Sequence, residues 1–343
     1  MTILVTGSAG FIGFHLTKKL LRSKIEVIGI DNLNNYYDKN LKISRLKILK
    51  EEASINKIKF DFFHEELENI KVIRDIFCIN KPKNIINLAA QAGVRYSIEA
   101  PMAYVNSNIV GFMNILECCR EFPPDHLLYA SSSSVYGGNT NTPFKEKDSA
   151  NHPMSLYAAT KKSNELMAHS YSNLFNVPST GMRFFTAYGP WGRPDMALFK
   201  FTKLILENKP IQIFNKGDIY RDFTYIEDVV ECIFRLIPKA PFSNEKFNTD
   251  FPSPEISWSP HRIVNIGNSK KISVMEFINN LEKCLGLKAK KEFLPMQAGD
   301  VKYTFADTSF LEKLINYKPN TEISYGIGEF IKWYKSYYLV PEK

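Results

Sequence analysis

Tyr157 and Lys161 stand one helical turn apart in the stretch Ser155-Leu-Tyr-Ala-Ala-Thr-Lys-Lys162. Side chains at i and i+4 share a helix face, so the spacing predicts the Lys161 ammonium beside the Tyr157 phenol, where it favours the phenolate. A tyrosine tuned in this way can take and return a proton near neutral pH. An isolated pair of this kind is more often a solvated helix face. Here two further features accompany it: a glycine-rich turn at the start of the chain, and the serine cluster Ser132-Ser-Ser-Val-Tyr-Gly137 after the strand-like Leu127-Leu-Tyr-Ala130. Together the three elements point to redox chemistry.

Something must hold these groups in place, and the N-terminal pattern supplies it. The apolar run Thr2-Ile-Leu-Val-Thr6 leads directly into Gly7-Ser-Ala-Gly-Phe-Ile-Gly13 and then a helical pattern, Phe14 to Leu21. In this strand, turn and helix, Gly7 allows the turn, Gly10 lets backbone approach a pyrophosphate and Gly13 lets helix pack on strand, with the phosphate at the helix N-terminus. A second strand, Glu26-Val-Ile-Gly-Ile30, ends at Asp31. A carboxylate there accepts hydrogen bonds from an adenosine ribose and repels a 2′-phosphate, favouring NAD over NADP.

Strand-like runs at 2–6, 26–30, 58–63, 84–88 and 127–131 alternate with helical stretches, which predicts a Rossmann-like doubly wound parallel α/β sheet. The stretch from Asn32 to Ile55 is longer than a tight connection and apolar enough, through Tyr36, Tyr37, Leu41, Ile43 and Leu46, to fold back as a helix beside the cofactor. Beyond Arg183 the pattern turns irregular, with Gly189-Pro-Trp-Gly-Arg-Pro194 and a Ser/Pro/Asn-rich loop over 244–260. The expected division is a nucleotide-binding domain over 1–182, also receiving 223–238 and 262–268, and a smaller α/β substrate-binding lobe over 183–343.

At 343 residues and 44% hydrophobic content, the chain can bury sizeable cores. Its net charge of +8 is scattered, with no strong basic block beyond Lys288 to Lys291, so a polyanionic small substrate is a better partner than nucleic acid. Five cysteines form no C-x-x-C pair, which fits a reducing compartment, and six histidines show no ligand spacing, so no metal is expected. No apolar run approaches the roughly 18 residues of a membrane helix, and the first strand begins at residue 2; no membrane association and a cytoplasmic location are expected.

Taken in order, the glycine turn, Asn87-Leu-Ala-Ala-Gln91, Ser-Val-Tyr-Gly, Tyr-x-x-x-Lys, Arg221-Asp-Phe223 and Gly299-Asp-Val301 resemble the extended short-chain dehydrogenase/reductase family over nearly the whole length. The resemblance implies Ser132 as the hydroxyl that holds a substrate oxygen, Tyr157 as acid/base, and Lys161 as partner of both Tyr157 and the nicotinamide ribose. It also implies NAD contacts from Gly7, Gly10, Phe11, Ile12, Gly13, Asp31, Asn32, Leu88, Ala89, Ala90 and Gln91, and a homodimer built on segments near 97–120 and 155–175. Glu66-Leu67 stands where an Asp-Leu or Asp-Ile is usual beside adenine, and Asn69 replaces a frequent second Asp; altered NAD affinity follows. His261 stands where Tyr is usual, bearing on uridine contacts.

Which reaction this scaffold runs turns on a few positions. The 4,6-dehydratases carry an Asp-Glu pair where this chain has Ser133 and Ser134, and UDP-glucuronate decarboxylases a glutamate at the Ser134 position. Serine has no group that titrates there, so what remains is oxidation at carbon 4 and reduction back. The segments Asn34-Asn-Tyr-Tyr-Asp38, Phe184-Phe-Thr-Ala-Tyr-Gly-Pro-Trp-Gly-Arg-Pro-Asp-Met196 and Met296-Gln-Ala-Gly-Asp-Val301 are similar to UDP-glucuronate 4-epimerases. That likeness implies a UDP-sugar partner, a place in polysaccharide biosynthesis, Thr186 and Arg193 as the grip on the sugar carboxylate near Ser133 and Ser134, Arg221 with Arg95 on the diphosphate, and Asp300 in the substrate site. Arginine suits a carboxylate because its planar fork donates two parallel hydrogen bonds. A UDP-glucose or N-acetylated 4-epimerase, a UDP-glucuronate decarboxylase and an NAD-binding sensor remain as alternatives.

Overall fold

The computed structural model describes residues 1–296 and 301–340. Six strands run in order along the first half: β1 (Thr2–Thr6), β2 (Glu26–Asp31), β3 (Phe60–His64), β4 (Asn84–Asn87), β5 (His126–Ser132) and β6 (Ser179–Phe184). Then β7 (Thr186–Tyr188), β8 (Ile211–Phe214), β9 (Tyr220–Arg221) and β10 (Phe223–Tyr225) leave the sheet, β11 (His261–Ile266) rejoins it, and β12 (Ile272–Ser273), β13 (Lys291–Leu294) and β14 (Tyr303–Thr304) follow. The main sheet is a seven-stranded, wholly parallel layer in the order β11-β6-β5-β4-β1-β2-β3.

Near-continuous apolar strands are required because both faces of this sheet are covered. The period of two then sorts each strand between two cores. Ile3 and Val5 of β1, Ile86 of β4 and Leu128 of β5 face one core, which includes Phe14, Leu16 and Leu20 of helix α1 (Phe11–Arg22). Leu4, Ile85, Leu127 and Tyr129 face the other, closed by helix α3 (Ile70–Asn80) through Ile73, Ile76 and Phe77. Between them in sequence lies α2 (Lys39–Asn56), the helix expected in the long second connection; Asp38 caps it by accepting the Asn40 N–H at 2.9 Å.

The region past Arg183, where the sequence pattern turns irregular, forms three small sheets: β7 with β10, β12 with β9 and β14, and β13 with β8. Strands of two to four residues carry no readable alternation, which is why sequence periodicity passes over them. One buried carboxylate gathers them. Asp222, fully buried, accepts N–H groups from Asn268, Ser269 and Ala306 at 2.8, 2.9 and 3.1 Å. His261, considered for uridine contacts, begins β11 inside the main sheet, where its Nε2 meets the Tyr129 hydroxyl at 2.9 Å; burial pushes it down to about 3, a neutral core histidine.

Glu146 is a second buried carboxyl, accepting the Asn265 N–H at 2.8 Å. Burial pushes it up to about 7, against the pull of the N–H donors and of Arg183. Because this pKa is raised above its unfolded value, the group supports the fold fully below about pH 4.3 and that support is lost as pH rises through 7. The stability of the wild type relative to Glu146→Gln is expected to fall by roughly 1.4 kcal/mol per pH unit between pH 5 and 7. Urea midpoints of the two proteins at pH 5, 6, 7 and 8 check this, and a difference that stays constant with pH contradicts it.

Candidate active site

In an open parallel sheet, ligands bind beyond the carboxyl ends of the strands where the order reverses, here between β1 and β4. A cavity of about 980 Å³ lies there. This is at the upper end of the roughly 300–1,000 Å³ of ordinary ligand sites, so two nucleotide-sized ligands fit the space better than one small one.

The glycine turn forms the floor of one end. Gly7 has φ +67°, and a Cβ on it would stand 2.8 Å from the Ala89 nitrogen; a Cβ on Gly13 would stand 2.0 Å from the Gly7 carbonyl oxygen. The turn therefore packs against itself and against the chain after β4 too closely for any side chain. Asp31, almost fully buried at the end of β2, accepts the Ala9 N–H at 3.1 Å through one oxygen and the Leu33 N–H at 2.9 Å through the other. Each oxygen keeps a second acceptor site. Asp31 thus braces the turn as well as facing the cavity, a bracing role that motif spacing does not reveal. Phe11, Ile12, Asn32, Glu66, Leu67, Leu88, Ala89, Ala90 and Gln91 line the same end.

The middle of the cavity holds the proton-transfer candidates. Ser155 caps helix α4 (Leu156–Phe175) by accepting the Ala158 N–H at 3.1 Å, which sets Tyr157 in the first turn and Lys161 in the second. Lys161 is buried, and its Nζ donates to the Ala130 carbonyl of β5 at 2.9 Å. Burial pulls its pKa down to about 8. The Ala130 carbonyl fixes the end of a side chain whose Cβ alone is aligned with Tyr157 by the helical spacing, four bonds remaining to direct the ammonium. Burial raises the Tyr157 pKa, and the groups that pull it back are the Ser132 hydroxyl and the charge of Arg193. Tyr104 packs edge-on against Tyr157 at 6.0 Å, with its hydroxyl donating to the Ala92 carbonyl at 3.0 Å.

Asn108 holds this region together, and sequence reasoning passed over it. It sits in a π-helical turn, Val105–Val110, a distortion that often marks functional sites. Its side chain accepts the Gln91 N–H at 2.8 Å and donates to the Gln91 carbonyl at 3.0 Å and the Thr160 hydroxyl at 3.1 Å. The cavity wall at Gln91 is thereby tied to the helix of Tyr157. Ser132, at the C-terminal end of β5, accepts the Ser134 N–H at 3.2 Å and donates to the Ser134 hydroxyl at 3.1 Å.

At the far end, Ser133, Ser134, Thr186, Arg193, Arg95 and Arg221 all line the cavity. Arg221 donates to the Val301 carbonyl at 2.8 Å, and the Arg95 guanidinium lies over the Phe214 ring at 5.2 Å. Arg193, expected to present its fork to a ligand, instead gives that fork to Asp195: Nε donates to Oδ1 at 2.9 Å and Nη2 to Oδ2. The Tyr36 hydroxyl also donates to Asp195, at 3.2 Å. Sequence reading places Tyr36 only as an apolar residue of the second connection and gives Asp195 no role, because neither segment has a periodicity to show what faces what. Asp300 lies outside the described residues; every other candidate site residue lines this one cavity.

Residues 3–249 match the NAD dependent epimerase/dehydratase family. The chain belongs to that family. Among its relatives, Protein CapI of Staphylococcus aureus is 52% identical over 98% of this chain and 99% of its own length. A probable UDP-glucuronate 4-epimerase of Rhizobium meliloti is 45% identical over 98% of each. The crystal structure of UDP-glucuronic acid 4-epimerase from Bacillus cereus, in complex with UDP-glucuronic acid and NAD, superposes with a TM-score of 0.84 at 33% identity, covering 98% of this chain and 100% of that one. NAD fits what the residues offer: a side-chain-free turn at a helix N-terminus for the pyrophosphate and an acceptor carboxylate at the end of β2 for the ribose. Gly13→Ala is expected to abolish NAD retention, since its Cβ cannot coexist with the Gly7 carbonyl. Absorbance of the protein at 260 nm after gel filtration checks this; full cofactor content in the variant contradicts it.

Proposed function

We propose that this protein interconverts UDP-glucuronate and UDP-galacturonate, inverting carbon 4 through a 4-keto intermediate. The observation that carries the proposal is one cavity joining a dinucleotide turn, a Ser132/Tyr157/Lys161 cluster and an arginine-bearing loop, in a chain close in sequence over its full length to proteins bearing that name. Bound NAD supplies the electron-pair acceptor and donor at carbon 4.

The remaining work falls to the chain. Tyr157, as phenolate, takes the proton of the 4-hydroxyl while the Ser132 hydroxyl donates a hydrogen bond to the same oxygen. Lys161 brings positive charge to this face below about pH 8. The ketone then turns over in the cavity and presents its opposite face, and Tyr157 returns the proton as carbon 4 is reduced. Thr186, Arg193 and the Ser133/Ser134 hydroxyls receive the sugar carboxylate, and Arg221 with Arg95 the diphosphate. Neither serine can act as the carboxylic acid or base that elimination requires. Because the carboxylate is β to the new carbonyl, it is lost only when its bond stands perpendicular to the carbonyl plane, and a fixed orientation suppresses that loss.

The same reading divides the chain into a nucleotide-binding part over 1–182, with 223–238 and 262–268 returning to it, and a smaller lobe over the rest. It pairs two chains through helices near 97–120 and 155–175, where Ile98, Met102, Val110, Leu166, Leu174 and Phe175 stand exposed. A cytoplasmic setting suits five cysteines of which none is paired. Among the described residues, no helix is long and apolar enough to cross a membrane.

Proton NMR of the purified protein with UDP-glucuronate and, separately, UDP-glucose tests the proposal. UDP-galacturonate is expected from the acid, with Tyr157→Phe retaining NAD but losing nearly all turnover. Conversion of UDP-glucose alone, or UDP-xylose as the product, would overturn it. Translational diffusion of the same sample at the rate of a single chain would argue against the pairing.

A further inference from the structure

An arginine that grips a substrate carboxylate must also let it go in every cycle, because the ketone has to turn over between oxidation and reduction. A buried guanidinium with no other counter-ion would resist that release, since freeing the carboxylate would strand a charge in the cavity. Arg193 has another counter-ion. Asp195 takes its Nε and Nη2 edge, and the Tyr36 hydroxyl steadies Asp195 through Oδ2 at 3.2 Å. Asp195 takes Nε and Nη2 while Arg193 itself lines the cavity, so a ligand there meets a guanidinium whose charge is already compensated. Both residues are about one-fifth to one-quarter exposed, at 21% and 24%, and Tyr36, Arg193 and Asp195 all line the cavity wall. The Tyr36 ring lies under the guanidinium at 5.9 Å, adding a second support that is independent of any ligand.

We infer that Asp195 is a positioning residue that serves as the standing counter-ion of Arg193, making the grip on the substrate carboxylate weak enough to release while the ketone turns. The inference rests on the proposed UDP-glucuronate reaction and deepens it. The chemistry is specific to an acidic sugar. For a sugar with an uncharged hydroxymethyl group, Asp195 keeps the Arg193 charge compensated throughout and there is no carboxylate to release.

The consequence has an unusual sign. Removing a carboxylate from an ion pair in a binding site ordinarily weakens binding, because the site loses its shape. Here Asp195→Asn keeps the shape and one acceptor oxygen but leaves Arg193 charged and uncompensated, so the acidic ligand binds more tightly and the cycle slows. We expect Kd for UDP-glucuronate to fall about ten-fold and kcat to fall by about the same factor, the size of effect that one partly screened charge pair produces. The stalled ketone leaves the cofactor reduced, so absorbance at 340 nm should rise on adding UDP-glucuronate to the variant. Binding of UDP-glucose should change little.

The test is calorimetry of the NAD-loaded wild type and of Asp195→Asn with UDP-glucuronate and UDP-glucose, together with steady-state turnover and the 340 nm signal. Asp195→Ser serves as a second variant if the first does not fold, with the same expected signs. Tighter acid binding with slower turnover supports the inference. Weaker acid binding, an equal loss for both sugars, or unchanged turnover overturns it while leaving the proposed reaction standing. A wild type that does not bind UDP-glucuronate overturns that reaction, and this inference with it.

Discussion

The geometry of the site depends on one buried ion pair. Arg183 of β6 and Glu165 of the Tyr157 helix are both nearly or fully buried, joined by two hydrogen bonds of 2.8 Å. Two such charges are costly to bury, and they are tolerated because the remaining acceptor sites are filled: Ser131 donates to Glu165 at 2.7 Å and Lys162 at 3.1 Å, and the guanidinium lies over the Tyr136 ring at 4.7 Å. Burial alone would raise the Glu165 carboxyl, but Arg183 holds it down at about 2. Glu165 lies one turn beyond Lys161, on the same helix face. The pair therefore fixes the rotation and height of that helix against β5 and β6, and so sets Lys161 at the Ala130 carbonyl and Tyr157 beside Ser132. Loss of either partner leaves an uncompensated buried charge, at a cost of about 3–5 kcal/mol.

A second buried arginine joins the two ends of the cavity. Arg45 of α2 donates through Nη1 to the Ala9 carbonyl in the glycine turn at 2.9 Å and through Nη2 to the Trp191 carbonyl at 2.6 Å. His15 of α1 adds a contact from its Nε2 to the Pro190 carbonyl at 2.9 Å. The loop that carries Arg193 and Asp195 is thus anchored to the nucleotide turn itself. The loop assigned to the sugar in the proposed reaction and the turn assigned to the cofactor are built as one frame, as a reaction between two ligands demands.

How much of this was legible follows the reach of each interaction. The glycine turn, its two strands and the capped helix of Tyr157 rest on contacts within a few residues, and they stand in the structure close to where the pattern places them. The expected strand at 58–63 is displaced to Phe60–His64, within ordinary boundary error. Arg45 and Asn108 are not legible for a common reason: their partners at Trp191 and Gln91 lie far off in sequence or in loops without period. The Ala130 carbonyl contact of the Lys161 ammonium is not legible in sequence, because local spacing positions Cβ and says little about the end of a long side chain. Arg193 was found by resemblance, but its partner Asp195, only two residues on, was not weighed because sequence shows a charge without showing whether it is already paired.

In the proposed reaction Tyr157 and Ser132 manage a proton while carbon 4 gives up and regains the same hydrogen within one cavity. The most direct measurement is the fate of deuterium placed at carbon 4 of UDP-glucuronate and followed by NMR in ordinary water. The account predicts UDP-galacturonate that keeps the deuterium at carbon 4. Product carrying solvent hydrogen at that carbon would contradict it, because the inversion would then proceed without an internal return of hydrogen.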